Sequence, residues 1–324
     1  MRGVCVNLKE SKELERISYS KLSTFEQCPR KFLYKYEQNK RSDTTSLALE
    51  LGTIAHYGKE LVGQALMLAQ KPDYEYVKKI VMNGYDEVSE FTPIHIPGIL
   101  ELKEKYFFEW IEPDNKSGMN YDEKLKIYFK NLHNLELDKE WRPIAVEPEF
   151  DFPYEGLFRL YGFIDRIDIN SKREYRVVDY KSSKKVFDDK DLKTPMQMYF
   201  YTLAVEHMYE ATPVEHIYDF IFLGEIQNAC SKGYQNRGQK KLLKLWGELG
   251  ECRTSGIYLA KASPLCYYCE YCKNNPNTVN ATDGLRGTCE YYSLWTPHNR
   301  TFEKNKEFDA TKTGTEQKPS DFWF

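Results

Sequence analysis

Several familiar features are missing from this chain of 324 residues, and each absence closes off a class of function. No apolar run approaches the roughly 20 residues of a helical membrane span, so no transmembrane helix is expected. The opening stretch, MRGVCVNLKESKELER, lacks the apolar core of a secretory leader and points to a cytoplasmic setting. Excess positive charge is absent too: 46 Lys and Arg face 49 Asp and Glu, a net charge of −3. A polyanionic ligand would therefore be met by local patches and not by an overall field. A nucleotide-triphosphate loop is also lacking. Gly233 and Gly238 have suitable spacing, but Gln239-Lys240-Lys241 follows where Lys then Ser or Thr is required. This excludes ATPase and helicase activity within the chain, and residues 230–244 read instead as a solvated basic loop.

What is present is more telling. Aromatic residues make up 15%, including 25 tyrosines, which suits base stacking as well as core packing. Eight cysteines without a secretory leader point to metal or thiol chemistry, not disulfides. Cys5, Cys230 and Cys252 are scattered, whereas Cys266, Cys269, Cys272 and Cys289 cluster, the first three as C-x-x-C-x-x-C. Four thiolates can hold a 4Fe-4S cluster or a structural zinc.

The chain is organised around residues 157–201. Phe158 to Ile169 reads as a strand interrupted by Asp165, Asn170 to Arg173 as a polar turn, and Tyr175 to Tyr180 as a short apolar strand carrying Asp179. Pro195 opens a helix. Strand interiors deplete aspartate, since a buried carboxylate needs a partner or a cation. Two such carboxylates on neighbouring strands, with Lys181 on the face of Asp179, make a candidate magnesium or manganese site. The competing reading is a charged hairpin whose aspartates pair with Arg166 and Lys181.

Around this stretch, Ser18 to Lys40 predicts two helical pieces meeting at Cys28-Pro29, capped by Ser18 or Ser20. Further helices are expected over 47–70, 74–90, 99–111 and 121–137. His95 and His133 read as surface residues. Trp141 to Tyr154 predicts one strand with Glu147 and Glu149 on one face, so that either could approach the metal site. Another strand is expected over 216–223.

Three of these pieces, in this order, resemble the RecB-like branch of the PD-(D/E)XK nuclease superfamily. They are Gly162-Phe-Ile-Asp165-Arg-Ile-Asp168, Val177-Val178-Asp179-Tyr180-Lys181, and Gln197 to Tyr201 as Q-x-x-x-Y. Gly52-Thr-Ile-Ala-His56 resembles the family's G-x-x-x-H helix, and the phrase around Cys28-Pro29 resembles its opening. The resemblance implies an α/β, restriction-endonuclease-like fold: a small central mixed sheet flanked by helices, with a helical insert over the active site and an iron–sulfur staple joining the chain ends. It implies a DNA nuclease, most simply an exonuclease on single strands or DNA ends, in recombination, repair or phage DNA metabolism (in host cytoplasm if phage-encoded). His56, Asp165, Asp179 and the Tyr180 carbonyl would hold the cation, Lys181 would position the nucleophile, and Gln197 and Tyr201 would orient Lys181 or the DNA. Cys28, Cys266 and Cys269 match cluster ligands. The family spacing would put the fourth at Asn275, leaving Cys289, after an insertion of 14 residues, or Cys272, too early by three. The alternatives are a non-catalytic DNA-binding accessory subunit and a zinc-stapled interaction protein.

The expected organisation is one domain over 1–298, comprising N-terminal helices (17–70), a helical insert (71–140), a catalytic core (141–225) and the basic loop with the cysteines (226–298). Residues 299–324 read as a flexible tail. Its end, Phe322-Trp323-Phe324 with Gln317 upstream, resembles clamp-docking peptides, so a sliding clamp is a candidate partner, and a helicase acting in trans is another.

Overall fold

Two stretches of backbone bend at the same level, and that shared bend sets the architecture. The computed structural model describes residues 13–42, 45–87, 94–133, 138–189, 192, 196–229, 233–272, 275 and 283–289, with the backbone of 307–308. Cys5, Cys230, Pro195 and the aromatic tail lie outside the described residues. The single strand expected over 141–154 is two, β4 (Trp141–Val146) and β5 (Glu149–Tyr154). Its partner also divides, into β6 (Phe158–Phe163) and β7 (Arg166–Asn170), with Asp165 in the gap. The first break has a local cause: Glu147 adopts φ +49° and Pro148 follows, so neither extends the ladder. Glu147 N–H donates to the Asp165 carbonyl (3.1 Å) and Ile164 N–H to that of Pro148 (3.2 Å), which ties the two bends together.

On one side of the bend β5 and β6 pair with β1 (Arg16–Ile17) in a three-stranded sheet ordered β1-β6-β5. On the other side β4 and β7 join β8 (Tyr175–Lys181), β9 (Glu215–Phe220) and β10 (Glu225–Asn228) in a five-stranded mixed sheet, β10-β9-β8-β7-β4. Only β8 and β9 in that sheet run parallel. Parallel neighbours need a long crossover, supplied by helix α8 (Met196–Tyr209).

The N-terminal segment breaks as expected, into α1 (Tyr19–Gln27) and α2 (Pro29–Phe32). Ser18 Oγ caps α1 by accepting from Lys21 N–H at 3.2 Å. Helix α3 (Leu47–Met67) follows. The helix expected to reach residue 90 stops early: α4 (Tyr74–Asn83) ends at Gly84, φ +79°, and the chain enters a hairpin of β2 (Gly84–Glu87) and β3 (Ile94–Pro97). The insert continues as α5 (Ile99–Lys105), α6 (Phe107–Ile111) and α7 (Tyr121–Leu132). His95 and His133 are exposed, as expected.

The solvated basic loop over 230–244 is overturned. From Tyr234 the chain is a long helix, α9 (Tyr234–Ser255), burying Leu242, Leu245 and Leu249 at helical spacing while Lys240 and Lys244 face solvent. Gly238 is bare for a tertiary reason, since a Cβ there would lie 2.5 Å from the Tyr199 ring on α8. The last two-residue strands, β11 (Ala260–Lys261) and β12 (Glu307–Phe308), pair antiparallel.

Two cores flank the five-stranded sheet, one against α1, α8, α9 and the smaller sheet, the other against α3, α4, α5 and α7. Val177 enters the first and Val178 the second, as the two-residue period of a strand buried on both faces requires.

Candidate active site

The shared bend gathers His56, Glu147 and Asp165. One ligand atom from each lies within 4.8 Å of the others. His56 arrives on α3, whose Gly52 packs against the segment after β8, where an added Cβ would sit 3.1 Å from Ser182 Oγ. His56 Nδ1 stands 3.7 Å from Asp165 Oδ2, and the same carboxylate oxygen accepts from Tyr180 N–H at 2.6 Å. Of the two glutamates, the corner selects Glu147. Glu149 lies beyond the bend and is exposed.

Negative charge accumulates here without full compensation. Burial, then the charges of Asp179 and Glu147, pushes the Asp165 carboxyl well above the usual carboxylate range. Burial, then Glu60 and Asp179, pushes Glu147 up to about 7. Burial lowers His56, against the pull of Asp179, so a neutral imidazole with a lone pair is favoured.

Beside the corner lies a closed ring of three hydrogen bonds and one ion pair. Asp179 and Lys181 share a face of β8, and Gln197 and Tyr201 are one turn apart on α8. Lys181 Nζ meets Asp179 Oδ2 at 2.5 Å and donates to Gln197 Oε1 at 2.7 Å. Gln197 Nε2 donates to the Tyr201 hydroxyl at 2.8 Å, which donates to Asp179 Oδ1 at 3.0 Å. Half of the charged-hairpin alternative therefore holds, because Lys181 does pair with Asp179. The other half fails: Arg166 turns away from Asp165, to Asp168 at 2.8 Å and to the Tyr180 hydroxyl at 2.9 Å. Arg176 completes that buried network, bridging Asp168 and Asp138.

The sequence as a whole matches the family model of the PD-(D/E)XK nuclease superfamily over residues 16–273. The chain belongs to the PD-(D/E)XK nuclease superfamily. Its members are metal-dependent nucleases, and so is this one. A search of curated proteins returns no match. The donor set of the nuclease fits the cation that such chemistry needs: two carboxylates and an imidazole converge on one point, a mixture suited to magnesium or manganese. Glu147 is the member that sequence patterning identified least well, since its left-handed backbone, and not its strand face, aims it inward.

The cysteines meet elsewhere. Cys28, Cys266, Cys269, Cys272 and Cys289 line one pocket, with Arg30, Lys31 and Lys261 among its walls. Cys28 Sγ accepts from Lys261 N–H at 3.5 Å and Cys266 Sγ from Ser263 N–H at 3.4 Å. Both candidates for the fourth ligand arrive beside Tyr271. Cys272 follows it directly, and Cys289 N–H donates to its carbonyl at 3.1 Å. Burial raises the thiols of Cys266 and Cys269, the latter to about 12.

Proposed function

We propose that this nuclease is a magnesium- or manganese-dependent deoxyribonuclease acting as an exonuclease on single strands or DNA ends. The observation that carries the reading is the adjacency of the His56–Glu147–Asp165 corner to the Lys181 ring, which sets a cation-binding donor set beside an oriented ammonium. His56, Asp165, Asp179 and the Tyr180 carbonyl would hold the cation, with Glu147 at their side. Such a cation, when bound, polarises the scissile phosphate and acidifies water. Lys181 supplies a positive charge to orient the nucleophile and to offset charge developing on the phosphate, and Gln197 and Tyr201 hold its ammonium in place. Neutral His56 keeps a ring nitrogen available as a ligand.

The test is cleavage of end-labelled single-stranded DNA with magnesium or manganese. Asp165→Ala and Asp179→Ala should each abolish it while the protein remains folded. Wild-type turnover in Asp179→Ala would end the assignment. Absence of metal-dependent cleavage by the wild type would favour instead a DNA-binding accessory role or a zinc-stapled interaction protein.

We further infer that the cysteine pocket holds a 4Fe-4S cluster through Cys28, Cys266, Cys269 and either Cys289 or Cys272. Thiols from both ends of the nuclease domain converge there, and the Lys31 ammonium favours their ionised form at Cys266 and Cys269. Among the described residues no three cysteine sulfurs lie mutually within 4.8 Å. Four sulfurs around one zinc would stand about 3.8 Å apart, given a bond of about 2.3 Å. Protein purified without oxygen should be brown, and Cys28→Ser should destabilise it as much as Cys269→Ser. A colourless protein with one tightly held zinc would replace the cluster, and Cys272→Ser against Cys289→Ser identifies the fourth ligand.

A further inference from the structure

The strand that delivers Asp165 to the corner carries a second pattern that the chemistry leaves unused. Along β6 the inward residues Phe158 and Leu160 are fully buried, and Gly162 is bare because the Phe150 ring passes where its Cβ would stand, at 2.8 Å. Core packing therefore accounts for the inward side. The alternate residues Arg159, Tyr161 and Phe163 point outward, and two residues further on the chain reaches Asp165. Phe163 is 46% exposed, although nothing in the core needs an aromatic ring at that position. Its ring lies 5.8 Å from that of Tyr161 at 79°, and the Arg16 guanidinium sits 5.1 Å above the Tyr161 ring.

The charges on this face are graded. At the far end Arg16 and Arg159 face each other across β1 and β6 and share a single Asp151 carboxylate, leaving an excess of positive charge. At the near end exposed Glu149 lies directly opposite Phe163, so this rung repels phosphate and offers only ring surface. An aromatic rung followed by a cationic rung, in line with a phosphodiester-cleaving corner, matches an unpaired strand. Its bases present open π faces, whereas a duplex hides them in its stack. Phe163 is two residues from Asp165 in the chain, so their backbones stand at most about 7 Å apart, within reach of a base next to the scissile phosphate.

We propose that Tyr161 and Phe163 form a stacking platform for unpaired bases, making them the residues that select single-stranded DNA. The proposal rests on the deoxyribonuclease reading above. It is tested by binding without cleavage, using the full chain, EDTA, and fluorescently labelled single-stranded and blunt duplex oligonucleotides. Phe163→Ala should weaken single-strand binding about five- to a hundredfold, the range one base-stacking ring supplies. Affinity for duplex should hold, and Phe163→Trp should restore the single-strand affinity. Tyr161→Ala should act in the same direction, and it carries the test if Phe163→Ala lowers the melting temperature. Unchanged single-strand affinity in both alanine variants overturns the platform, as does an equal loss on both substrates. A wild type that cuts DNA while both variants bind it unaltered refutes the platform alone, whereas a wild type without metal-dependent cleavage refutes the nuclease reading on a separate measurement.

Discussion

The two halves of the active site solve opposite electrostatic problems. Asp179, Lys181, Gln197 and Tyr201 stand on a regular strand and a regular helix, and each finds a partner within the ring. His56, Glu147 and Asp165 meet where two strands stop being strands. Both carboxyls are raised first by burial, then by Asp179 and Glu147 at Asp165 and by Glu60 and Asp179 at Glu147. Glu147 also holds a left-handed backbone that costs about 1 to 3 kcal/mol in a non-glycine residue. The ring is complete without a cation, whereas the corner gains most from one. A divalent ion would reverse the sign of the local field, turning an electrostatically unfavourable cluster into a bound site. On the proposed reading the ring orients Lys181, with Asp179 serving both the ring and the cation, and the corner captures charge.

Removing the ammonium is the change with the largest expected effect that tests this division. Lys181→Ala should lower turnover on DNA by about 100-fold or more, a loss of transition-state contact, while manganese affinity measured by calorimetry holds. If affinity falls together with turnover, the ring and the corner form one unit and the division of labour is wrong.

Much of this was legible because the relevant signals are local. Aspartates at Asp165 and Asp179 stand out against apolar strand residues, Lys181 shares a face with Asp179 by period alone, and Gln197 and Tyr201 share a helix face. The break at Cys28-Pro29 follows from the fixed φ of proline and its missing N–H. What escaped detection depends on distant contacts. Period-two patterning cannot reveal that both strands change sheets at one level, because the hydrogen bonds from Glu147 to Asp165 and from Ile164 to Pro148 span the β5–β6 hairpin. Residues 230–244 read as a loop because two glycines and five basic residues obscure the apolar period. Leu242, Leu245 and Leu249 carry the helical signal further along, and the bareness of Gly238 serves Tyr199 on another helix. The convergence of Cys28 with Cys289 likewise arises only once the two chain ends fold together.

The subtler contrast concerns the stability of the metal-free protein. A carboxyl whose folded pKa lies above its unfolded value adds stability that is fully present below the unfolded value, about 4, and is lost as pH rises through the folded one. With Glu147 pushed up to about 7 and Asp165 also raised, the corner should weaken the metal-free protein progressively as pH climbs past neutrality. Asp165→Asn keeps an oxygen to accept from Tyr180 N–H and removes one charge. It should therefore raise the melting temperature in EDTA at pH 8 by a few degrees, corresponding to about 1 kcal/mol, with little gain at pH 5. Asp179→Asn is as modest a substitution two strand positions from Lys181, yet it should move stability the other way. It relieves some repulsion on Asp165 and Glu147, but it deprives the Lys181 ammonium, in direct contact at 2.5 Å, of its counter-charge. The closer interaction sets the sign, and since that ammonium is 21% exposed, the net loss should be about 1 kcal/mol, less than for a fully buried pair. Adding manganese at pH 8 should raise the wild-type melting temperature and leave that of Asp165→Asn nearly unmoved. Paired melting curves of the two variants across pH 5 to 8, with EDTA and with manganese, give the answer. Opposite signs sustain the contrast between a corner that awaits charge and a ring that already has it, and shifts in the same direction at pH 8 end it.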